Sequence, residues 1–310
     1  MPGSFRLAKW YLDCVTPDGR AFIGYWARLR WMGITLHYAG SIHATGWGSG
    51  DAWRVRHHST LRDASEPIEH EDGRIRWNCA GLKVKGEWEE EPAASPPAAP
   101  LPPTARLGER TLFATGEGQV IWDCRMPRAA ARLEISGGPE MVGTGYTEYL
   151  DLTIRPWQLP IEELRWGRFH AESHGEPVTS ALGSGAARSV VWIRYTGDEP
   201  RQLVLVNGVE AADPQIGEAR VTWTVGGVRQ SLDLEPGRVL REGPLGGTAL
   251  SEVPGVRKLA PLAVLDTYEA KWLSRSQLRR DVGGEHGAAP TNPITGWAVH
   301  EVVRPVRWGG

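Results

Sequence analysis

The sequence is short of cysteine and phenylalanine, has no long apolar run and carries no charge excess, and each shortage removes a class of protein. Three cysteines in 310 residues (Cys14, Cys79 and Cys124) are too few and too scattered for a disulfide framework. Their odd number points to a reducing compartment, where each thiol acts as a small apolar side chain. The N-terminal MPGSFRLAKW lacks the apolar core of a secretory signal. No stretch approaches the roughly 20 apolar residues of a spanning helix. A cytoplasmic protein with no integral membrane segment is therefore expected. The net charge of −2 gives no basic excess with which to hold nucleic acid or an anionic membrane.

Chemical signatures are scarce too. The glycines of GWGSG (46–50) do not open a helix and no Lys-Ser or Lys-Thr follows them, so they form no phosphate loop. No serine sits in a nucleophile elbow. His57 and His58 adjoin on a strand and point to opposite faces, so they cannot share a metal. Neither a cofactor nor a metal site is expected.

What is abundant is tryptophan, with 15 against 4 phenylalanines. An indole offers a large flat apolar face and one N–H, which suits both the plug of a β-barrel and a site for a flat, unsaturated ligand. Segments alternating with period two, bounded by Gly, Pro and Asp, recur along the chain. WYLDCV (10–15) and AFIGYWARLRW (21–31) flank TPDGR, where Pro17 presets φ and Asp18-Gly19 tolerates positive φ. Further strands are expected at 51–58, 74–90, 111–116, 119–124, 131–136 and 146–154. A second series follows at 164–172, 188–197, 201–210, 219–227, 228–236, 237–243, 265–273 and 296–306. Helical pattern is thin: one turn in IEELRW and two turns in SRSQLRRD (274–281).

Many short strands with little helix specify an all-β chain of sandwich or barrel type. The Pro/Ala-rich EPAASPPAAPLPP (91–103) resembles a linker, but a boundary there would leave a first piece too small for a closed eight-stranded barrel. It is read as an extended loop within a first domain of residues 1–157, followed by a second of 158–310. The two halves are also alike. Each opens with a Trp-containing hairpin, and each closes with a Gly-aromatic strand carrying a downstream glutamate: GTGYTEYLDL (143–152) and TGWAVHEVVR (295–304).

Alternation places polar groups among aromatic ones. Trp166, Arg168 and His170 share a face with Leu164; Trp192 and Arg194 share one with Val190; Tyr146 and Glu148 share one with Leu150 and Leu152. Two explanations stay open for Glu148. It forms an internal ion pair with Arg168 or Arg194, or it is a carboxylic acid whose pKa an apolar cavity has raised.

WYLDCVTPDGRAFIGYW, GTGYTEYLDLTIRPW and GWAVHEVV resemble the lipocalin-like carotenoid hydratases and AttH-type proteins, with tocopherol cyclases and fungal Diels–Alderases as relatives. The resemblance implies two consecutive lipocalin-like antiparallel barrels and a hydrophobic pocket at or between them. Residue by residue, the family's Gly-Tyr-x-acid element falls on Gly145, Tyr146 and Glu148. Where the hydratase and cyclase branches carry Asp followed by His, this chain has Glu148 followed by Tyr149. An imidazole would have to come from another strand, from His170 or His300.

The function expected is binding of an isoprenoid- or polyketide-like molecule with cofactor-free cyclisation, hydration or isomerisation. Glu148, Tyr146 and His170 are the catalytic candidates, and Trp166, Arg168, Trp192, Arg194, Trp272 and Trp297 the ligand-binding ones. The alternatives are a pericyclase acting by shape and a non-enzymatic carrier of a lipid-like ligand. A monomer or homodimer is compatible with the exposed strand edges.

Overall fold

Each period-two segment pairs antiparallel with a neighbour and lays one row of side chains on each side of its sheet. The computed structural model describes residues 5–48, 52–91, 109–172, 188–247, 262–281 and 293–306. The first series of strands is β1 (Arg6–Val15), β2 (Ala21–Trp31), β3 (Ile34–Thr45), β4 (Arg54–Thr60) and β5 (Ile68–Glu69). It continues with β6 (Ile75–Cys79), β7 (Val84–Glu90), β8 (Arg110–Thr115), β9 (Gly118–Ile135) and β10 (Met141–Leu152). These strands make one sheet in the order β4-β3-β2-β1-β10-β9-β7-β6-β5, with β8 also on β9.

After a short 3-10 turn at Pro156–Gln158 come β11 (Ile161–Ala171), β12 (Ser189–Gly197), β13 (Arg201–Val206), β14 (Val209–Glu210) and β15 (Ala212–Ile216). They are followed by β16 (Arg220–Val225), β17 (Val228–Leu234), β18 (Arg238–Pro244), β19 (Tyr268–Asp281) and β20 (Ile294–Arg304). The second sheet repeats the order of the first, shifted by ten: β14-β13-β12-β11-β20-β19-β17-β16-β15, with β18 also on β19. The chain is all-β, two antiparallel barrels in succession. No helix among the described residues is long and apolar enough to cross a membrane.

Some local expectations are corrected. The sequence pattern passes over β3, whose Gly40 and mixed polar residues blur the alternation. IEELRW and SRSQLRRD are strand, not helix, because β11 and β19 are each held on both sides by ladder partners. The segments 119–124 and 131–136 are one strand, β9, in which Pro127 is accommodated where the register against β10 slips. Residues 74–90 are two strands separated by a 3-10 turn at Ala80–Leu82. Residues 92–103 lie outside the described part, but β7 and β8 on either side of them belong to the same sheet.

Three cores result. Trp10, Leu12, Phe22, Trp26, Trp77 and Trp88 fill the first barrel. Phe169, Trp192, Val204, Val221, Trp223 and Leu232 fill the second. A buried indole withdraws roughly 150–250 Å² from water, worth about 4–6 kcal/mol as an upper bound at ~25 cal/mol/Å². The polar ends are used as well: Trp26 Nε1 donates to the Ala64 carbonyl (2.9 Å) and Trp77 Nε1 to that of Ser65 (2.7 Å), tying down the chain after β4. In the second barrel, Arg194 Nη1 donates to the Ile216 carbonyl and Gln202 Oε1 accepts from the Ile216 N–H, both at 2.9 Å. These bonds join β12 and β13 to the end strand β15.

The third core belongs to neither interior. Tyr11, Val15, Ile23, Tyr25, Trp122 and Tyr146 of the first sheet meet Trp166, Val191, Ile193, Leu273, Trp297 and Val299 of the second. Alternate residues of β1 thus look in opposite directions, Leu12 and Cys14 into their own barrel, Tyr11 and Val15 toward the other.

Candidate functional site

The two sheets face each other through equivalent strands. On β1 and β10, Tyr11 stands opposite Glu148 and Asp13 opposite Tyr146. On β11 and β20, Trp166 stands opposite Glu301 and Arg168 opposite Val299. By this register Tyr11 corresponds to Trp166, Asp13 to Arg168 and Glu148 to Glu301, and the first two pairs meet in the middle. The Tyr11 and Trp166 rings lie 4.9 Å apart. Arg168 grips Asp13 with two bonds (Nε–Oδ2 2.9 Å, Nη2–Oδ1 2.8 Å), and neither side chain is exposed. Tyr11 adds a hydroxyl bond to Asp13 at 3.1 Å.

Glu148 lies on this inter-barrel face with Tyr146, as the alternation predicts. Trp122 Nε1 and the Tyr146 hydroxyl both donate to Oε2, at 2.6 and 2.7 Å. No arginine or lysine is within ion-pair distance of it among the described residues. Both of these bonds fall on the same oxygen. The side chain is half-buried at the edge of the inter-barrel core, against which Leu7, Leu29, Leu150 and Leu164 also pack. Burial pushes the Glu148 carboxyl above its ordinary range, and the charge of Glu301 adds to this, against the pull of Trp122, Tyr146 and Lys9. Burial also pushes the Tyr146 hydroxyl well up, helped by the neighbouring Cys124 and Glu148, so Tyr146 is a donor here.

Glu301 has the opposite surroundings. Lys271, its ladder neighbour on β19, forms an ion pair with it and lies 3.8 Å from Glu269. Glu269 in turn binds Arg241 at 3.1 Å. Burial alone would depress Lys271, but Glu301, Tyr25 and Glu269 hold it above its ordinary range. Burial would raise Glu269, yet Arg241 and Lys271 outweigh it and keep the carboxyl low. The Lys271 ammonium is 5.2–5.7 Å from the ring centres of Tyr11, Tyr25 and Trp166. Beside these charges three buried polar atoms have no partner among the described residues: Tyr25 Oη, Trp166 Nε1 and Arg241 Nε.

Of the residues singled out from sequence, Glu148, Tyr146 and Trp166 come together, with the Tyr146 and Trp166 rings 5.5 Å apart. The others do not join them. Arg168 is occupied by Asp13 and by the Trp297 carbonyl (3.2 Å), so it does not pair with Glu148. His170 is four residues, about 13 Å, along β11 from Trp166. Its Nε2 lies 2.8 Å from the Pro127 carbonyl, and burial with Arg168 and Arg128 nearby holds the ring neutral. Trp192 and Arg194 belong to the second barrel, because β12 turns their face inward. Trp272 is on the barrel side of β19, stacked on His300 at 5.3 Å. His300 is itself turned away from Glu301, bonded to Ser274 at 2.7 Å and lowered to about 4 by burial and by Arg165 and Lys271. Trp297 lies at the other end of the interface, against Trp47.

Sequence reasoning passed over Lys271, Glu269, Arg241, Trp122 and Tyr25. One signal was available: in TYEAKWL, Glu269 and Lys271 alternate with Ala270 and Trp272, placing two charges on the face of Leu273. Among the described residues no group of three or more His, Cys, Asp or Glu could hold a metal ion.

No protein-family model and no curated protein matches the chain by sequence. Its fold is similar to that of CghA, with a TM-score of 0.52 at 11% identity over 99% of this chain and 90% of that one. CghA has also been solved with Sch210972, and that structure matches with a TM-score of 0.50 at 13% identity over 98% and 94% of the two chains. A putative AttH from Nitrosomonas europaea gives 0.48 at 9% identity over 96% and 92%. Kievitone hydratase from Nectria haematococca gives 0.46 at 10% identity over 97% and 89%. The CghA likeness spans nearly the whole chain and shows the tandem lipocalin-like architecture that the sequence resemblance implies.

Proposed function

We propose that the space between the barrels binds a hydrophobic, unsaturated small molecule and that Glu148 protonates it in a cofactor-free hydration, cyclisation or isomerisation. The observation carrying this reading is the contrast between two equivalent carboxyls. Glu301 is given a lysine and Glu148 is given neutral donors, and burial holds the Glu148 carboxyl above its ordinary range. Oε1–H delivers the proton to the substrate. As the carboxylate forms, the Trp122 N–H and Tyr146 O–H on Oε2 stabilise it. In hydration, water adds to the cation and the resulting oxonium returns a proton to the Glu148 carboxylate; in isomerisation or cyclisation the cation, after any ring closure, loses a proton to the same carboxylate, and the acid is restored in each case. That CghA has been solved with a small molecule supports a ligand in this architecture.

A second reading, a pericyclase, is favoured by the placement of Lys271. Its ammonium already occupies the ring faces of Tyr11, Tyr25 and Trp166, where a carbocation would otherwise be stabilised. Together with the unpartnered Tyr25 Oη, Trp166 Nε1 and Arg241 Nε, it suits a substrate carbonyl oxygen that is polarised and held. The discriminating experiment follows product formation from a panel of polyene and polyenone probes by chromatography and mass spectrometry. Under the acid mechanism Glu148→Gln loses turnover and retains probe affinity. A pericyclase survives that change and fails in Trp166→Ala. Binding without turnover in every form would establish a carrier.

A further inference from the structure

The turn between β2 and β3 is built against its own backbone preference. Trp31 pairs with Ile34 across the ladder, so Met32 and Gly33 form a two-residue hairpin loop, and both have positive φ, 51° and 77°. Such a loop favours Asn-Gly or Asp-Gly, because a short polar side chain bonds locally and glycine has no Cβ to clash. Gly33 meets that demand. Methionine has no local hydrogen bond to offer and is uncommon in the left-handed region. Packing does not offset the cost, since Met32 is 69% exposed and Ile34 55%. A long apolar side chain held in a disfavoured conformation and turned into water is the mark of a contact made outside the chain.

The tip has apolar company. Trp31, half-buried behind it, meets Trp157 edge to face with centres 5.5 Å apart, and Trp157 meets Phe5 at 6.1 Å. A helical turn at Leu262–Leu265 packs against the 3-10 turn that carries Trp157, and Leu262 is 67% exposed. Three of the four most exposed large apolar side chains among the described residues, Met32, Leu262 and Ile34, are thus gathered at one end of the molecule. The next ladder row inward on the same face, Leu36, Leu29, Leu7 and Leu152, continues this surface toward the inter-barrel core. Cations flank the indoles. Arg30 precedes Trp31, and Arg155 lies two residues before Trp157. Arg28 is paired with Glu66 at 3.4 Å, but neither Arg30 nor Arg155 has a carboxylate partner among the described residues. From residue 19 to residue 50 the sequence has no Asp or Glu, a local cationic excess hidden within the overall charge of −2.

We infer that this end of the molecule docks on the surface of a bilayer carrying anionic lipid, with Met32, Ile34 and Leu262 entering the boundary between headgroups and acyl chains. Indoles favour that depth, which suits Trp31 and Trp157 just behind the tip. Arg30 and Arg155 keep their stems along the apolar surface and their charges among the lipid phosphates. Exposed apolar side chains alone would fit a protein partner equally well; the uncompensated arginines beside the indoles select the lipid. Docking of this kind does not depend on whether Glu148 is catalytic.

Co-sedimentation of the full chain with vesicles of phosphatidylcholine alone, and of phosphatidylcholine mixed with phosphatidylglycerol, tests it. The protein should partition onto the mixed vesicles more strongly than onto the neutral ones. Met32→Asn gives the turn its favoured residue, so the urea midpoint should hold or rise while partitioning falls about tenfold. A methionine with a purely structural role would show the reverse, altered stability and unchanged partitioning. Arg30→Gln and Arg155→Gln should each lower affinity for the mixed vesicles about fivefold and leave affinity for the neutral ones as it was. Leu262→Ser, on a different segment, should weaken partitioning too, so the test survives a hairpin variant that fails to fold. No sedimentation with either vesicle, equal partitioning onto both, or partitioning unchanged in both Met32→Asn and Leu262→Ser would each overturn docking on anionic lipid. A dimer in light scattering that Met32→Asn makes monomeric would overturn it as well, assigning the tip to a second copy of the chain.

Discussion

Glu148 and Glu301 occupy equivalent positions on the last strands of the two barrels, yet Lys271 meets one carboxyl while Tyr146 and Trp122 meet the other. A repeated strand order places a glutamate at the same position of each sheet and gives each a different neighbour on the adjoining strand. β19 supplies Lys271 where β9 supplies Trp122 and Cys124. The chemistry proposed above depends on that asymmetry.

The proton on Glu148 sets the expected pH dependence of turnover. A general acid must be protonated, so the rate is full below the raised Glu148 pKa and falls as pH climbs through it. Glu148→Gln should lower kcat by about 10²–10⁴-fold and abolish that limb of the profile. A pH–rate profile of both proteins, run on whichever probe is turned over, checks this; an unchanged limb in the variant assigns the proton elsewhere.

Stability should respond to the same group in a defined direction. Burial raises the folded-state pKa of Glu148, so the folded protein holds this proton more tightly than the unfolded chain does. The stabilisation from it is complete below the ordinary glutamate pKa and is lost as pH rises through the folded value. Glu148→Gln escapes this loss and should gain on the parent over that window in urea denaturation. Glu301→Gln removes one of the influences that raise Glu148, so the window should close at lower pH. A parent and Glu148→Gln that keep a constant gap from pH 4 to 9 would contradict the assignment.

The Asp13–Arg168 pair crosses the interface with no exposure on either side chain. Removing one partner strands a buried charge, and Arg168→Met should cost about 3–5 kcal/mol. Asp13→Leu combined with Arg168→Met should cost far less than the sum of the single changes, because no charge is left unpaired. Urea midpoints of the four proteins measure the coupling. Strict additivity would mean that the pair contributes nothing across the barrels.

The fold was legible in the sequence because one period, two residues, governs nearly every element, and the matching ends GTGYTEYLDL and TGWAVHEVVR are β10 and β20. The face carrying Tyr146, Glu148, Leu150 and Leu152 was legible for the same reason. What alternation cannot tell is which of two buried sides a face looks toward. Trp166 and Trp192 read alike in sequence; Trp166 looks between the barrels and Trp192 into one of them. Lys271 and Arg241 were hidden for another cause: they act on the site from strands far away in sequence, and only the pairing of β19 with β20 and β18 brings them there.

Arg194 provides the cleanest test of that sorting, since its strand position suggested a ligand contact and its bond serves barrel closure instead. Its guanidinium holds the Ile216 carbonyl of β15, and Gln202 holds the N–H of the same residue. Arg194→Met keeps most of the apolar stem and removes one charge-assisted bond, so about 1–3 kcal/mol of stability should be lost. Amide exchange should quicken at β15, whose hold on β12 and β13 is weakened, while exchange in β1 and β10 stays as it was. Affinity for the polyene probes should be unchanged, because the side chain lies on the barrel-side face of the second sheet, away from the face that sheet turns toward the first barrel. A variant with normal stability and weakened probe binding would return Arg194 to the ligand site and require the face assignment of β12 to be reversed.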